Sequence, residues 1–213
     1  QVKLVHNADY DKYNNMSSLY AAQDYLGNSY VLCSDNYYEE NVFHKYVLHP
    51  YYSCVYSENF CDEYCVTELA ENGDINGIHR GGKQAWYTIG DCYFDSDYSD
   101  KFRSLMNDEW SDFNVRSMLM DDFQIKHLNV LRFKKKDRIE NSILEFDTLE
   151  EIRAFDKDFI QFEQENLDIN NEVNHVLYKY SEVKSYHSVP TEQLNGRLHL
   201  NENLFKPSPK FFH

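Results

Sequence analysis

Two acidic positions offer the most direct chemistry in this chain. Asp35 directly follows the apolar run Ser29–Cys33 within Ser34-Asp35-Asn36. A carboxylate at the carboxyl end of a strand lies where open α/β sheets bind ligands. A hard cation bridging phosphates takes one or two carboxylates there and keeps several waters. The same residues equally suit an Asx turn leaving a strand. Asp121 and Asp122 sit near the end of an apolar helical stretch containing Val115, Met118 and Leu119. They serve either as a second metal ligand, far from Asp35 in sequence, or as a solvated helix end. Tyr37, Tyr56, Tyr64, Trp86 and Tyr93 fall near expected strand ends. Aromatic faces beside a carboxylate such as Glu63 can hold an ammonium group; the alternative is that these rings are core. Asn14, Asn15 and Ser18 stand at the start of a helical pattern, where they can bond a base or ribose or simply cap the helix. The nine histidines form no cluster with metal-ligand spacing, and residue order alone supports no Ser-His-Asp arrangement.

The elements that must position these groups follow from periodicity. Val2–Val5 alternates as a strand would, and a polar loop, His6–Tyr13, follows. Leu19, Ala22 and Leu26 recur at helical spacing until Gly27-Asn28. Ser29–Cys33 reads as a short buried strand, and a short helix is expected near Glu39–Tyr46. The middle is β-rich, with strands expected at Tyr51–Tyr56, Tyr64–Glu68, Ile75–Arg80 and Trp86–Phe94. Turn signals at Asn72-Gly73-Asp74 and Gly81-Gly82 separate them. Asp97–Trp110 and Asp112–Phe123 read as helices, Asn129–Phe133 as a strand, Lys134-Lys135-Lys136 as a basic turn and Ile143–Phe146 as a strand. A helix over Asp147–Phe155 carries Thr148 and Glu151 at capping-box spacing. After Phe162 the character shifts: Val173–Val183 reads as helical, and the Pro- and Gly-punctuated Ser188–Lys210 as loop. Alternation at both ends around a β-rich middle predicts an α/β domain with a mixed central sheet, the middle adding antiparallel strands.

The bulk numbers bound the function. The 213 residues are 42% hydrophobic and 16% aromatic, with 18 Tyr, which is enough for one core of ordinary size plus an appendage. A formal charge of −15 argues against nucleic-acid binding, which needs a basic footprint. Cys33, Cys54, Cys61, Cys65 and Cys92 are odd in number and lack paired spacing, as in reduced cytoplasmic proteins. Cys61 and Cys65 have no second pair to complete a zinc site. No apolar run approaches the roughly 18–20 residues needed to cross a bilayer, so no membrane partner is expected.

The order of the motifs is more informative than any one of them. Asp11-Lys12-Tyr13-Asn14-Asn15-Met16-Ser17-Ser18-Leu19-Tyr20, then Asn28-Ser29-Tyr30-Val31 and Ser34-Asp35-Asn36-Tyr37, closely resembles bacterial CTP:phosphocholine cytidylyltransferases, within the sugar-phosphate nucleotidyltransferase superfamily. The likeness continues through Ser53-Cys54-Val55-Tyr56, Glu63-Tyr64, Gly90-Asp91-Cys92-Tyr93-Phe94, Asp121-Asp122 and Ser142–Asp147, covering residues 3–158.

The resemblance implies a Rossmann-like nucleotidyltransferase fold over residues 1–162. It implies Mg²⁺ held by Asp35 and Asp121, with Asn14, Asn15 and Ser18 near the nucleotide. It places Tyr37, Tyr56, Glu63, Tyr64 and Trp86 around the acceptor. The implied reaction joins CTP to a small phosphorylated amino-alcohol, such as phosphocholine, phosphoethanolamine or 2-aminoethylphosphonate, and releases pyrophosphate. A sugar-1-phosphate nucleotidyltransferase and a non-catalytic nucleotide-binding domain are the alternatives, and a homodimer is among the expected assemblies. Two departures from the family stand out. Its Gly-rich triphosphate loop, with the Arg and Lys that follow, has no counterpart here; the family places that loop ahead of Gln1, so the N-terminal part is expected to be missing and the fragment alone inactive. Glu63-Tyr64 stands where a Glu-Trp pair is expected, and Tyr is the weaker cation–π partner. Leu198–Pro209 in turn resembles the opening segment of fold-type I aminotransferases related to the histidinol-phosphate enzymes. It implies that residues 163–213 are a linker and the start of a fused pyridoxal-phosphate domain, whose catalytic lysine lies beyond His213.

Overall fold

A computed structural model describes residues 2–159. They form two compact units. One comprises residues 2–32 and Tyr38–Ile143; the other comprises Cys33–Tyr37 and residues 144–159. The expected boundary near 160–170, the helix at Val173–Val183 and the aminotransferase-like tail lie outside the described residues.

The strands in chain order are β1 (Ser29–Val31), β2 (Asn36–Tyr38), β3 (Tyr51–Ser57), β4 (Cys61–Leu69), β5 (Ile75–Gly82), β6 (Ala85–Phe94), β7 (Lys134–Arg138) and β8 (Ile143–Glu145). The helices are α1 (Met16–Ala21), α2 (Ser96–Glu109), α3 (Phe113–Arg116), α4 (Met120–Lys126) and α5 (Leu149–Phe155). In the first unit a six-stranded sheet runs β5-β4-β6-β3-β7, and β1 also pairs with β6. The β3–β7 pair is parallel and the other ladders are antiparallel, so the sheet is mixed as expected.

Sequence periodicity explains the core. Along α2, Tyr98, Phe102 and Met106 fall four apart, on one helix face, and all are buried. They pack with Phe94 from β6, Phe123 and Met120 from α4, and Leu131 and Phe133 from the segment entering β7. The Asp95 side chain accepts from the Tyr98 N–H at 2.8 Å and caps α2.

A bulge shapes the centre of the sheet. Tyr52 pairs with Cys92, but Cys54 pairs with Thr88, so β6 carries two more residues than β3 across that interval. Gly90 sits in the bulge at φ +79°, and a Cβ there would lie 2.7 Å from Ile143 Cδ1. Asp91, beside it, is fully buried. It accepts hydrogen bonds from Tyr51 Oη at 2.7 Å, Ser53 Oγ at 2.8 Å and Arg138 Nη2 at 2.8 Å.

Five sequence expectations are corrected. Val2–Val5 joins no described strand; Val2 and Leu4 are exposed, so alternation there reflects no buried face. Glu39–Tyr46 is irregular rather than helical, because the Phe43 and His44 N–H groups donate to the Asn41 side chain and to Tyr30 Oη instead of to helix carbonyls. The helix expected over Asp112–Phe123 breaks into α3 and α4 at Leu119, whose backbone is extended. Asn129–Phe133 is a turn, and the strand is instead the basic run Lys134–Arg138. Val130 and Leu131 donate back to the His127 carbonyl, while the cations that follow find partners on the sheet. Lys134 pairs with Asp74 at 3.2 Å, Lys135 with Asp137, and Arg138 with Asp91. The turn expected at Gly81-Gly82 closes one step later, at Lys83-Gln84, with Gln84 at φ +52°.

Candidate functional site

The second unit gathers three carboxylates. Asp35 follows β1 by a few residues, and its carbonyl accepts from the Phe146 N–H at 3.1 Å. That bond brings the Asp35 segment to the end of β8, where Glu145 and Asp147 flank Phe146. Carboxylate oxygens of Asp35, Glu145 and Asp147 lie within 4.8 Å of one another. Local sequence fixes this arrangement. The Glu151 side chain accepts from the N–H groups of Asp147 and Thr148 at 2.8 and 2.9 Å, and Thr148 Oγ1 accepts from the Glu151 N–H, completing the expected capping box of α5. Tyr37, Phe146 and Phe155 pack around it with tilted rings, their centroids 5.2–6.3 Å apart. Tyr37 therefore braces this unit. Three carboxylates give an all-oxygen donor set that would suit a hard divalent cation. Glu145 and Asp147 were not singled out as ligands from sequence. The available signal was a Glu-x-Asp spacing at the end of a strand.

The first unit gathers a second acidic group, at the first turn of α4. Asp121 is partly buried, and desolvation pushes its carboxyl up to about 6, aided by the nearby charges of Asp122 and Glu63 and opposed by a hydrogen bond from the Tyr52 hydroxyl and its own N–H. Tyr64 Oη donates to Asp122 Oδ1 at 2.8 Å, and burial with that bond raises the phenol above its ordinary range. The Arg80 guanidinium lies 5.7 Å from the Tyr64 ring centroid. Glu63, Tyr64 and Asp121, drawn from positions far apart in sequence, thus meet.

The remaining expected residues fall nearby or elsewhere. Asn15 Oδ1 accepts from the Met120 N–H at 2.8 Å, tying the start of α1 to the start of α4. Its side chain does not cap α1. Asn14 Oδ1 accepts from the Asn15 N–H. Ser18 is exposed and accepts from Asn7 Nδ2 at 3.1 Å. Tyr56 and Trp86 pack together at 5.5 Å, and Lys135 Nζ lies 3.4 Å from the Trp86 ring centroid. Tyr93 packs against Tyr30 and Tyr51 on the opposite sheet face. Asp35 belongs to one compact unit and Asp121 to the other.

Known proteins supply the context for these two groups. No family model matches the chain. It is 26% identical over 156 residues to the choline-phosphate cytidylyltransferase of Streptococcus pneumoniae, covering 73% of this chain and 68% of that protein. It is 27% identical over 163 residues to the 2-aminoethylphosphonate cytidylyltransferase of Lancefieldella rimae, covering 75% and 65%. Among solved structures it is similar to the CTP:phosphocholine cytidylyltransferase of Streptococcus pneumoniae, with a TM-score of 0.67 at 26% identity over 73% of this chain and 68% of that one. The fold is therefore that of a nucleotidyltransferase, α/β with a mixed central sheet. More particularly, the chain is a homologue of these two cytidylyltransferases, about two thirds of whose length it spans. No described helix is long and apolar enough to cross a membrane.

Proposed function

We propose that the protein containing this chain transfers CMP from CTP to a small phosphorylated amine and releases pyrophosphate, in a Mg²⁺-dependent reaction. The observation that carries this reading is the joint likeness, in sequence and in fold, to a CTP:phosphocholine cytidylyltransferase. Asp35, Glu145 and Asp147 would hold the metal ion. When bound, the ion supplies charge neutralisation for two anionic reactants. Asp121, for which the resemblance implies a metal role, lies beside Glu63 and Tyr64. Asp121, Asp122 and Glu63 offer negative charge to the acceptor's ammonium. Asn14, Asn15 and Ser18 serve the nucleotide side, Asn15 also fixing the first turn of α4.

The chemistry needs no general base. An oxygen of the acceptor phosphate attacks the α-phosphorus of CTP, a new P–O bond forms, and the bond to the bridging oxygen breaks as pyrophosphate leaves. The nucleophile is already anionic at neutral pH, so the chain's own contribution is to bind and orient. The resemblance of Leu198–Pro209 to an aminotransferase opening supports a fusion with a pyridoxal-phosphate domain, and the cysteine pattern supports a cytoplasmic setting.

The test is ³¹P detection of product in the full-length protein with CTP, Mg²⁺ and, in turn, phosphocholine, phosphoethanolamine, 2-aminoethylphosphonate and glucose-1-phosphate. Product with the amines but not the sugar is expected. Product with the sugar alone sinks the reading.

A further inference from the structure

This inference rests on the reading that the acceptor is a phosphorylated amine, and it concerns which amines are accepted. Trp86 is directly opposite Tyr56 on β3 and Val66 on β4. Tyr64, two residues from Val66, shares the same face, because side chains alternate along a strand. Tyr52, whose hydroxyl bonds Asp121, is in register with Lys135 of β7. One sheet face therefore carries both the acidic group of α4 and the aromatic pair.

That aromatic pair already has a cation. Lys135 Nζ sits 3.4 Å from the Trp86 ring centroid, and Asp137, next on the same face of β7, is its ion partner. The Tyr64 hydroxyl is committed to Asp122, with Arg80 lying over its ring. A trimethylammonium head has no N–H and depends on aromatic faces. A primary ammonium has three N–H donors and is satisfied by carboxylates.

We propose that this protein selects acceptors bearing a primary ammonium over those bearing a trimethylammonium, and that Lys135 is the specificity-determining residue because its own ammonium fills the aromatic position a quaternary head would take.

The experiment compares kcat/KM of the full-length protein for phosphoethanolamine and its N-methyl, N,N-dimethyl and N,N,N-trimethyl derivatives. A stepwise fall is expected, reaching about tenfold at the trimethyl compound, the ratio that a cation–π contact of ordinary strength corresponds to. Lys135→Met should shift the ratio toward phosphocholine by about threefold or more, while Lys135→Arg, which keeps a cation on the ring, should preserve it. Turnover of the trimethyl compound equal to or better than phosphoethanolamine overturns the proposal. So does a Lys135→Met variant that slows both acceptors by the same factor, since that marks a merely structural lysine. If neither these four acceptors nor 2-aminoethylphosphonate is turned over, the cytidylyltransferase reading itself fails. Calorimetric titration with phosphoethanolamine and phosphocholine then decides selectivity separately: tighter phosphoethanolamine supports the inference, and tighter phosphocholine or binding of neither overturns it.

Discussion

Replacing Asp91 by Asn probes a buried ion pair in the sheet. The side chain is fully buried, and its partners are all donors: Tyr51 Oη, Ser53 Oγ and Arg138 Nη2, which reaches both oxygens at 2.8 and 3.1 Å. Asn keeps the shape but turns one acceptor into an N–H₂ facing donors, and it leaves a guanidinium that is 9% exposed without its counterion. Breaking one side of a buried pair costs about 3–5 kcal/mol. Arg138 Nε retains Ser53 Oγ at 2.9 Å, so the lower end, about 3 kcal/mol, is expected. For a domain of this size each kcal/mol moves Tm by roughly 2–4 °C, giving a fall of about 6–12 °C. Urea and thermal unfolding followed by circular dichroism measure both quantities. Adding Arg138→Met to Asp91→Asn should recover part of the loss, because the stranded charge is gone. A loss below about 1 kcal/mol, or strictly additive single-variant effects, refutes a stabilising coupling between Asp91 and Arg138.

Four further outcomes follow from the geometry. Asp35→Asn and Asp147→Asn should each lower CMP transfer at least about a hundredfold and raise the Mg²⁺ concentration at half-maximal rate; chelation should abolish activity until Mg²⁺ is restored. Asp121 is raised by burial to about 6 from 3.8, so its contribution to stability is present below pH 4 and is lost as pH rises through 6. Asp121→Asn should accordingly be neutral at pH 4 and stabilising at pH 7.5 by about 1–2 kcal/mol, after allowance for the water at its exposed edge, while acceptor affinity in the parent protein improves as pH passes 6. Gly90→Ala meets both an unfavourable φ and Ile143 Cδ1, and should cost about 1–3 kcal/mol in chemical denaturation. Thr148→Ala removes the cap of α5 and should cost about 1 kcal/mol, read as faster amide hydrogen exchange in Leu149–Phe155.

Much of the fold was legible because periodicity and burial agreed. The four middle strands and α2 repeat apolar residues at the spacing their buried faces require, and Thr148 and Glu151 announce their helix by a local reciprocal bond. The misreading of the basic run has a long-range cause. Lys134–Arg138 looks like a solvated turn until Asp74, Asp91 and Trp86, all distant in sequence, take up its cations. The same holds for the acidic groups. Asp35 stood out by its position after a strand, but its neighbours Glu145 and Asp147 become visible only when β2 meets β8. Trp86, read as a ligand for an external cation, has an internal one that no local pattern reveals.

The two additional residues that β6 inserts around Gly90 make an even number, and evenness has consequences for how this strand can change length. Because outward and inward positions alternate, a two-residue surplus leaves Trp86 and Cys92 on one side of the sheet and Asp91 and Tyr93 on the other. A single deletion there would swap parity for everything downstream, driving a carboxylate toward Phe102 and lifting Phe94 away from it. Length variation at this point of the strand is therefore expected to come in pairs of residues, and a one-residue change to be among the least tolerated in the molecule.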